Sequence, residues 1–153
     1  MDSPVIYSST FASLQDTDTV VDATRRMLAD RVSDLPVVDA AGKLVGLFRL
    51  DRLYAALLPM GALLGDGLTD LAFVSDTLGQ LRDKMREIEH RPVREFTVMP
   101  DEVVHPDTTP LQVVLLLHQG ANNIPVVSPD TGKLVGMASA RDVLAALSRV
   151  GSA

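Results

Sequence analysis

The stretch N-I-P-V-V-S-P-D-T-G-K-L-V-G-M-A-S-A-R-D-V-L, residues 123–144, has a close counterpart earlier in the chain. The counterpart, residues 34–54, reads D-L-P-V-V-D-A-A-G-K-L-V-G-L-F-R-L-D-R-L-Y. Pro125 follows Pro36 by 89 residues, and the glycine after each K-L-V run is repeated after 90. The extra residue falls in a polar turn, where a loop tip tolerates an insertion. The chain therefore contains an internal repeat.

Each copy predicts a β-hairpin followed by a helix. Short runs rich in valine suit a pleated, enclosed strand, and a polar turn with glycine leads into a return strand. The predicted strands are 35–38 and 43–48 in the first copy, and 124–127 and 133–138 in the second. The predicted helices are 50–58 and 140–148, which end at Pro59 and Gly151.

A further helix is predicted before each hairpin. The first covers 20–31, after several N-cap oxygens at 16–19, and its apolar face consists of Val20, Ala23, Met27 and Leu28. The second begins at Thr109, with Pro110 at the first helical position and Gln112 where a capping box requires it, and ends at Gly120. Because residues 113–117 are all apolar, we expect the second helix to be buried more deeply than the first.

Residues 1–15, with Val5, Ile6, Tyr7 and Phe11, are expected to add a short strand to the first repeat. Between the repeats, residues 60–92 read as a linker that carries a helix at about 75–91, with Ser75 as its N-cap. One face of this helix is an apolar stripe, which either covers the core of a repeat or forms part of a subunit contact. The stripe consists of Leu78, Leu81, Met85 and Ile88.

The pattern predicts an α/β (α+β) fold in which each repeat is strand, helix, strand, strand, helix. Neither unit is large enough to bury both faces of its sheet alone, so the two copies should pack together with pseudo-twofold symmetry. The predicted domains are repeat 1 at 1–59, the linker with its helix at 60–92, and repeat 2 at 93–153.

Composition limits the functional classes. With 46% hydrophobic residues and a mean hydropathy of +0.19, the 153-residue chain should be a compact globule. Its net charge of −6 opposes binding to phosphate backbones, so no nucleic-acid partner is expected. No apolar run is long enough to cross a membrane, and no signal peptide is evident, so we expect no membrane partner and a cytoplasmic location. The absence of cysteine excludes disulfides and thiolate sites.

The sequence does not indicate an enzyme. His90, His105 and His118 lack the spacing of a zinc site, so no metal is predicted. The glycine-rich segment 61–67 lacks the G-K-[ST] ending of a phosphate loop and is better explained as a linker.

The two motifs, h-P-V-V followed by G-K-L-V-G-h and, in the second copy, S-x-x-D, resemble the cystathionine-β-synthase (CBS) domain family, whose tandem pairs are called Bateman modules. The likeness covers roughly residues 10–59 and 93–149. It implies a stand-alone regulatory pair with a cleft that binds an adenosyl ligand, namely AMP, ADP, ATP or S-adenosylmethionine. It also implies a homodimer, and the apolar residues at 53–58 and 143–147 are compatible with one.

The resemblance also implies a set of ligand-binding residues in repeat 2. Asp142 would bind the ribose, Ser139 the ribose or the α-phosphate, and Arg141 would neutralise phosphate charge, because carboxylates accept bonds from paired hydroxyls and helix N-termini suit anions. Asn122 and Asn123 would face the phosphates. The backbone at Ile124 and around Val104 and His105 would flank the adenine. His105 is alternatively a plain loop residue, and Asp142 is alternatively only a helix cap.

Repeat 1 departs from this pattern, since Arg49 and Arg52 stand where repeat 2 has Ser139 and Asp142. Asp51 is one residue out of phase, which turns it by about 100° around a helix. We therefore expect one competent site, in repeat 2, and the two arginines either form surface salt bridges or reach a phosphate in the other cleft.

Two alternative hypotheses about function follow from these observations. The first is a sensor that binds an adenosyl ligand in the repeat 2 cleft and transmits a conformational change to a separate effector protein. The second is a structural dimerisation or protein-interaction module without a ligand.

Overall fold

The structure is a computed structural model that describes residues 6–58 and 78–150, with the backbone alone at 149 and 150. Several sequence predictions concern residues outside these ranges. They are the strand residue Val5, the helix ends at Pro59 and Gly151, the glycine-rich segment 61–67 and the N-cap Ser75.

The predicted order of strand, helix, strand, strand, helix is confirmed in repeat 1. In repeat 2 the helix, two strands and final helix are confirmed, whereas the short strand before them pairs with repeat 1. Repeat 1 contains β1 (Leu14–Gln15), α1 (Val20–Asp30), β2 (Asp34–Val38), β3 (Leu44–Arg49) and α2 (Leu50–Leu57). The segment between the repeats contains α3 (Leu78–Ile88) and a 3-10 helix (Val93–Phe96). Repeat 2 contains β4 (Thr97–Val98), α4 (Pro110–His118), β5 (Asn123–Val127), β6 (Leu134–Ser139) and α5 (Ala140–Val150).

Both predicted helix starts before the hairpins are confirmed as capping boxes. Thr19 caps α1, and its hydroxyl and backbone N–H bond the N–H and side chain of Asp22. Thr109 caps α4 in the same way with Gln112, and Pro110 occupies the first turn. In each case the cap satisfies backbone donors that have no partner within the helix.

The two hairpins have the same register and the same irregularity. In repeat 1 the register shifts between Val37 and Val38, and in repeat 2 it shifts between Val126 and Val127. At Gly46 a Cβ atom would lie 2.6 Å from the backbone oxygen of Val98. This position therefore requires glycine because a neighbouring strand passes directly over it.

Each repeat completes its sheet with a segment that precedes the other repeat. The first sheet has the strand order β1-β2-β3-β4, so β4 is paired with β3 of repeat 1. Reciprocally, Ser8 pairs with Met137 of β6 through two backbone hydrogen bonds of 2.9 Å. The expectation that residues 1–15 belong to repeat 1 is thus wrong for its first part. Of the described residues 6–15, Ala12 and β1 join repeat 1, whereas Ile6 is buried in the second core, where β6 offers an unpaired edge.

The helix predicted to be the more buried is the more exposed. α1 buries Val20, Ala23 and Met27, although Leu28 is 74% exposed against expectation. In α4 only Val113 is buried, and Leu115 is 50% exposed. The reason is the position of the C-terminal part of α3 and of the residues after it, which cover repeat 1 instead of repeat 2.

This covering is visible in the contacts of α3 and the residues after it. Ile88 and Val93 belong to the core of repeat 1, and Met85 packs against that core. The backbone N–H of Val20 donates to the carbonyl of Arg91 at 3.0 Å. The interpretation of the linker stripe as a cover for a repeat core is therefore confirmed at the C-terminal end of α3.

The repeats meet through matching positions, as pseudo-twofold symmetry predicts. The N–H of Leu44 donates to the carbonyl of Gly132 at 3.2 Å, and the N–H of Leu134 donates to the carbonyl of Gly42 at 3.0 Å. The two hairpin turns therefore form a reciprocal backbone contact. The symmetry axis passes between them.

Candidate functional site

A cavity of about 440 Å³ lies between the two repeats. We call it the interrepeat cleft. Its walls come from the ends of β2 and β3 in repeat 1 and from the start of β5, the end of α4 and the segment after β4 in repeat 2. Its lining residues are Asp34, Leu47, Arg49, Pro100, Asp101, Glu102, Leu116, Gln119, Gly120, Ala121, Asn122, Asn123 and Ile124.

Asp34 and Asn123 hold the two repeats together within this cleft. They occupy matching positions, at the first residue of β2 and of β5. The Asn123 Nδ2 atom donates to the Asp34 Oδ1 atom at 3.1 Å, and both side chains are partly buried. Burial raises the pKa of Asp34, although the hydrogen bond from Asn123 and the charge of Arg49 act in the opposite direction.

The other end of the Asn123 amide lacks a partner. Its Oδ1 atom is buried and accepts no hydrogen bond from the described residues. A buried acceptor without a donor costs about 1–3 kcal/mol, and because this atom is enclosed by protein it does not face the cleft. The acceptor that this pair presents to the cleft is therefore the Asp34 carboxylate.

The remaining charges of the cleft are mostly negative. Asp101 and Glu102 line it and are exposed. Arg49 also lines it, but its Nη2 atom lies 3.1 Å from the Asp51 carboxylate, with both side chains at least half exposed. The alternative that Arg49 forms a surface salt bridge is thus confirmed, and this bridge leaves the arginine at the edge of the cleft.

Ser139, Arg141 and Asp142 lie at the start of α5 and do not line the interrepeat cleft. The Ser139 N–H donates to the Asp142 carboxylate at 3.3 Å, and the Asp142 N–H donates to the Ser139 hydroxyl at 3.1 Å. These reciprocal bonds form a third capping box. Arg141 is exposed. Ser139 occupies the position in repeat 2 that Arg49 occupies in repeat 1. Because Arg49 lines the interrepeat cleft, the pseudo-twofold relation places Ser139 on the other side of the Asp34–Asn123 pair.

Val104 and His105 line a separate cavity of about 230 Å³ in repeat 2, between the N-terminal segment and α4. Val104 is buried and pairs in parallel with Val126, which makes it the counterpart of Leu14 in β1. The His105 Nδ1 atom lies 2.9 Å from the Val127 carbonyl oxygen. The loop alternative for His105 agrees with this geometry.

The structure therefore divides the predicted ligand-binding residues into three groups. Asn122, Asn123 and Ile124 lie together in the interrepeat cleft, while the other predicted residues lie at the α5 cap or in the smaller cavity. Sequence reasoning did not select Asp34, Asp101 and Glu102. The repeat offset contained a signal for Asp34, because a residue that matches Asn123 across a pseudo-twofold axis is expected to approach it.

Comparison with known proteins places this geometry in a family. The family model described as CBS domain matches residues 1–59 and 93–149. The chain belongs to the CBS domain family. As a CBS pair, it resembles CBSX2 from Arabidopsis thaliana with a TM-score of 0.71, 20% identity and coverage of 98% of this chain and 94% of that one.

Two other solved structures extend the comparison. The AMP complex of CBSX2 matches with a TM-score of 0.67 and 21% identity, over 97% of this chain and 95% of that one. Protein MJ1004 from Methanocaldococcus jannaschii matches with a TM-score of 0.66 and 21% identity, over 95% of this chain but only 58% of its own length. At these identities the likeness shows the fold, which is that of a tandem CBS module.

Three further observations concern the class of protein. No curated protein sequence matches the chain. Within residues 6–58 and 78–150, no helix combines the length and apolar character needed to cross a bilayer. The same ranges contain no group of three or more His, Asp or Glu side chains that could hold a metal ion. CBS domains are typically regulatory.

Proposed function

We propose that this CBS pair is a cytoplasmic regulatory module that binds an adenosyl ligand and signals to a separate effector protein. The observation that carries the proposal is the interrepeat cleft, because a ligand within it would contact both repeats at once. Such a ligand shifts the relative arrangement of the repeats only as far as it binds one arrangement better than another. The complex of AMP with CBSX2 supports this class of ligand.

In this proposal the start of β5 forms the centre of the ligand site. Asn122 and Asn123 provide amide groups, and the backbone at Ile124 flanks the base. The candidate ligands are AMP, ADP, ATP and S-adenosylmethionine. Val104 and His105 line the smaller cavity instead and take no part in this site.

The ribose role of Asp142 is a second, separable part of the proposal. A carboxylate offers about four acceptor sites, so the capping bond does not prevent Asp142 from binding two ribose hydroxyls. Because Ser139 faces the opposite side of the Asp34–Asn123 pair, this role places the ligand on that side. Substitutions at Asn122 and at Asp142 distinguish these two positions of the ligand.

Isothermal titration calorimetry against the four candidate ligands tests the function. We expect saturable binding near one ligand per chain, lost in Asn122→Trp, because this exposed residue lines the cleft and an indole would fill it. Binding that survives Asn122→Trp but is lost in Asp142→Ala would place the ligand on the Ser139 side. Absence of heat from every ligand, on a sample shown to be folded by circular dichroism, would refute the sensor function.

A specific observation favours a homodimer, which the sensor and the alternative of a dimerisation module without a ligand share. Large apolar side chains are exposed along α4 and α5, including Leu111 at 79%, Leu144 at 66% and Leu147 at 53%. A solvent-exposed apolar surface of this kind commonly marks a protein contact. We propose that a second copy of the chain covers it, and this homodimer is compatible with either function.

A further inference from the structure

The interrepeat cleft has an excess of negative charge. Among the described residues, its lining includes three carboxylates and one cationic side chain, Arg49. The carboxylates are Asp34, Asp101 and Glu102. Since Arg49 is already paired with Asp51 at 3.1 Å, its charge is partly neutralised before any ligand arrives. A cleft lined mainly by one sign of charge concentrates ligands of the opposite sign.

The Asp34 carboxylate, which lines the cleft, has the same preference. Among the described residues it accepts a hydrogen bond from the Asn123 amide, and a carboxylate has further acceptor sites that need donors. Phosphate oxygens are acceptors as well, so a phosphate beside Asp34 would supply no donor and would be repelled by the carboxylates of the cleft.

We propose that the interrepeat cleft selects adenosyl ligands whose group at the 5′ carbon is neutral or cationic, such as S-adenosylmethionine, over AMP, ADP and ATP. This inference rests on the proposed function and narrows its ligand class. S-adenosylmethionine carries a sulfonium, an ammonium and a carboxylate group, so its net charge is positive, and the ammonium supplies N–H donors. Its adenosine portion is common to every candidate.

A ligand series with constant adenosine tests the selection by calorimetry. The series is S-adenosylmethionine, 5′-methylthioadenosine, AMP and ATP, which runs from cationic through neutral to increasingly anionic. We expect affinity to fall in that order, with at least about a tenfold difference between the first and the last, because close like charges are costly. Added salt should weaken the binding of S-adenosylmethionine and strengthen that of ATP, since it screens both interactions.

Neutralising variants test whether the cleft carboxylates are the cause. The double variant Asp101→Asn/Glu102→Gln should reduce the preference for S-adenosylmethionine over AMP several-fold. The matched control Asp130→Asn/Glu87→Gln changes the net charge equally at exposed residues outside the cleft lining, and should leave the preference unchanged.

The outcomes separate this inference from the proposed function. Tighter binding of AMP or ATP than of S-adenosylmethionine would overturn the selection and leave the sensor function intact. An equal effect of the control and cleft variants would also overturn it, because the preference would then arise from the net charge of the whole protein. Absence of binding by the entire series would refute both.

Discussion

The pairing of Asp34 with Asn123 joins a carboxylate and an amide at positions that the internal repeat makes equivalent. An amide at both positions would allow two reciprocal hydrogen bonds, whereas the carboxylate accepts one and leaves the Asn123 Oδ1 atom without a donor. A protonated Asp34 would supply that donor. This agrees with the raised pKa of Asp34, for which burial is the largest cause.

The substitution Asp34→Asn should therefore stabilise the protein at neutral pH by about 1 kcal/mol, the usual contribution of one hydrogen bond. In the wild type, a raised folded-state pKa means that the stability linked to Asp34 is fully present below the unfolded pKa and is lost as the pH rises through the folded one. The advantage of the variant should then shrink on acidification. Urea denaturation of both proteins at neutral and mildly acid pH measures this difference.

Comparison of the two proteins at each pH cancels the contributions of other carboxyl groups. Asp22, for example, has a pKa lowered by its hydrogen bonds with Thr19, so its contribution to stability is lost on acidification in both proteins. A variant that is less stable than the wild type at neutral pH would contradict the proposed role of the unsatisfied amide.

At the scale of elements, the capping boxes of α1 and α5 provide a matched pair of variants. Asp22 and Asp142 both accept a hydrogen bond from the backbone N–H of the N-cap residue. Asp22→Ala and Asp142→Ala should each destabilise the protein by about 1 kcal/mol. If Asp142 binds ribose, only its variant should also lose ligand affinity, as calorimetry would show. Equal binding by both variants would restrict Asp142 to helix capping.

The close passage of β4 over Gly46 gives a prediction about the sheet of repeat 1. A Cβ at this position would lie 2.6 Å from the Val98 oxygen, which is backbone and cannot rotate away. Gly46→Ala should therefore destabilise the protein by about 2 kcal/mol, within the usual cost of overpacking. Thermal unfolding measures the loss, and faster amide exchange in β3 and β4 would locate it. A variant as stable as the wild type would mean that β4 is held only loosely.

The elements themselves were largely predictable from the sequence because each has a local signal. The N-cap oxygens at 16–19 and the capping box at Thr109 predicted two helix starts, and the valine-rich runs predicted the hairpins. The burial of α4 was not predictable, because an apolar run such as 113–117 does not show which of its faces has a partner. The location of Ile6 in the core of repeat 2 was not predictable either, since strand pairing between distant segments has no local sequence signal.

The candidate site was predictable only in part, for a similar reason. The family pattern selected Asn122 and Asn123, which do lie in the interrepeat cleft. It grouped them with Ser139, which pairs with Asn123 in the hairpin, and with Asp142 in α5, but neither of these lines the interrepeat cleft. Assigning side chains to one cleft requires the arrangement of the two repeats, and the sequence of one repeat does not contain it.

At the scale of the whole molecule, the apolar faces of α4 and α5 predict the oligomeric state. Because α3 covers repeat 1, the exposed leucines of repeat 2 are the surface that we expect a second chain to bury. Leu144→Lys/Leu147→Lys should convert a dimer into a monomer, measured by sedimentation velocity. The control Leu28→Lys alters a comparably exposed leucine, 74% against 66% for Leu144, on the covered repeat and should leave the dimer intact. A monomeric wild type, or a dimer broken equally by the control, would contradict this interface.

The exchange of edge strands has a consequence for the order in which the chain is completed during synthesis. Repeat 1 lacks its last strand until residues 97 and 98 have left the ribosome, because β4 pairs with β3. Ser8 finds its partner only when Met137, 129 residues further along the chain, emerges. Although domains commonly fold one after another as they are translated, the segment around Ser8 cannot pair until a strand of repeat 2 has been made. Its two halves should therefore reach their final form together.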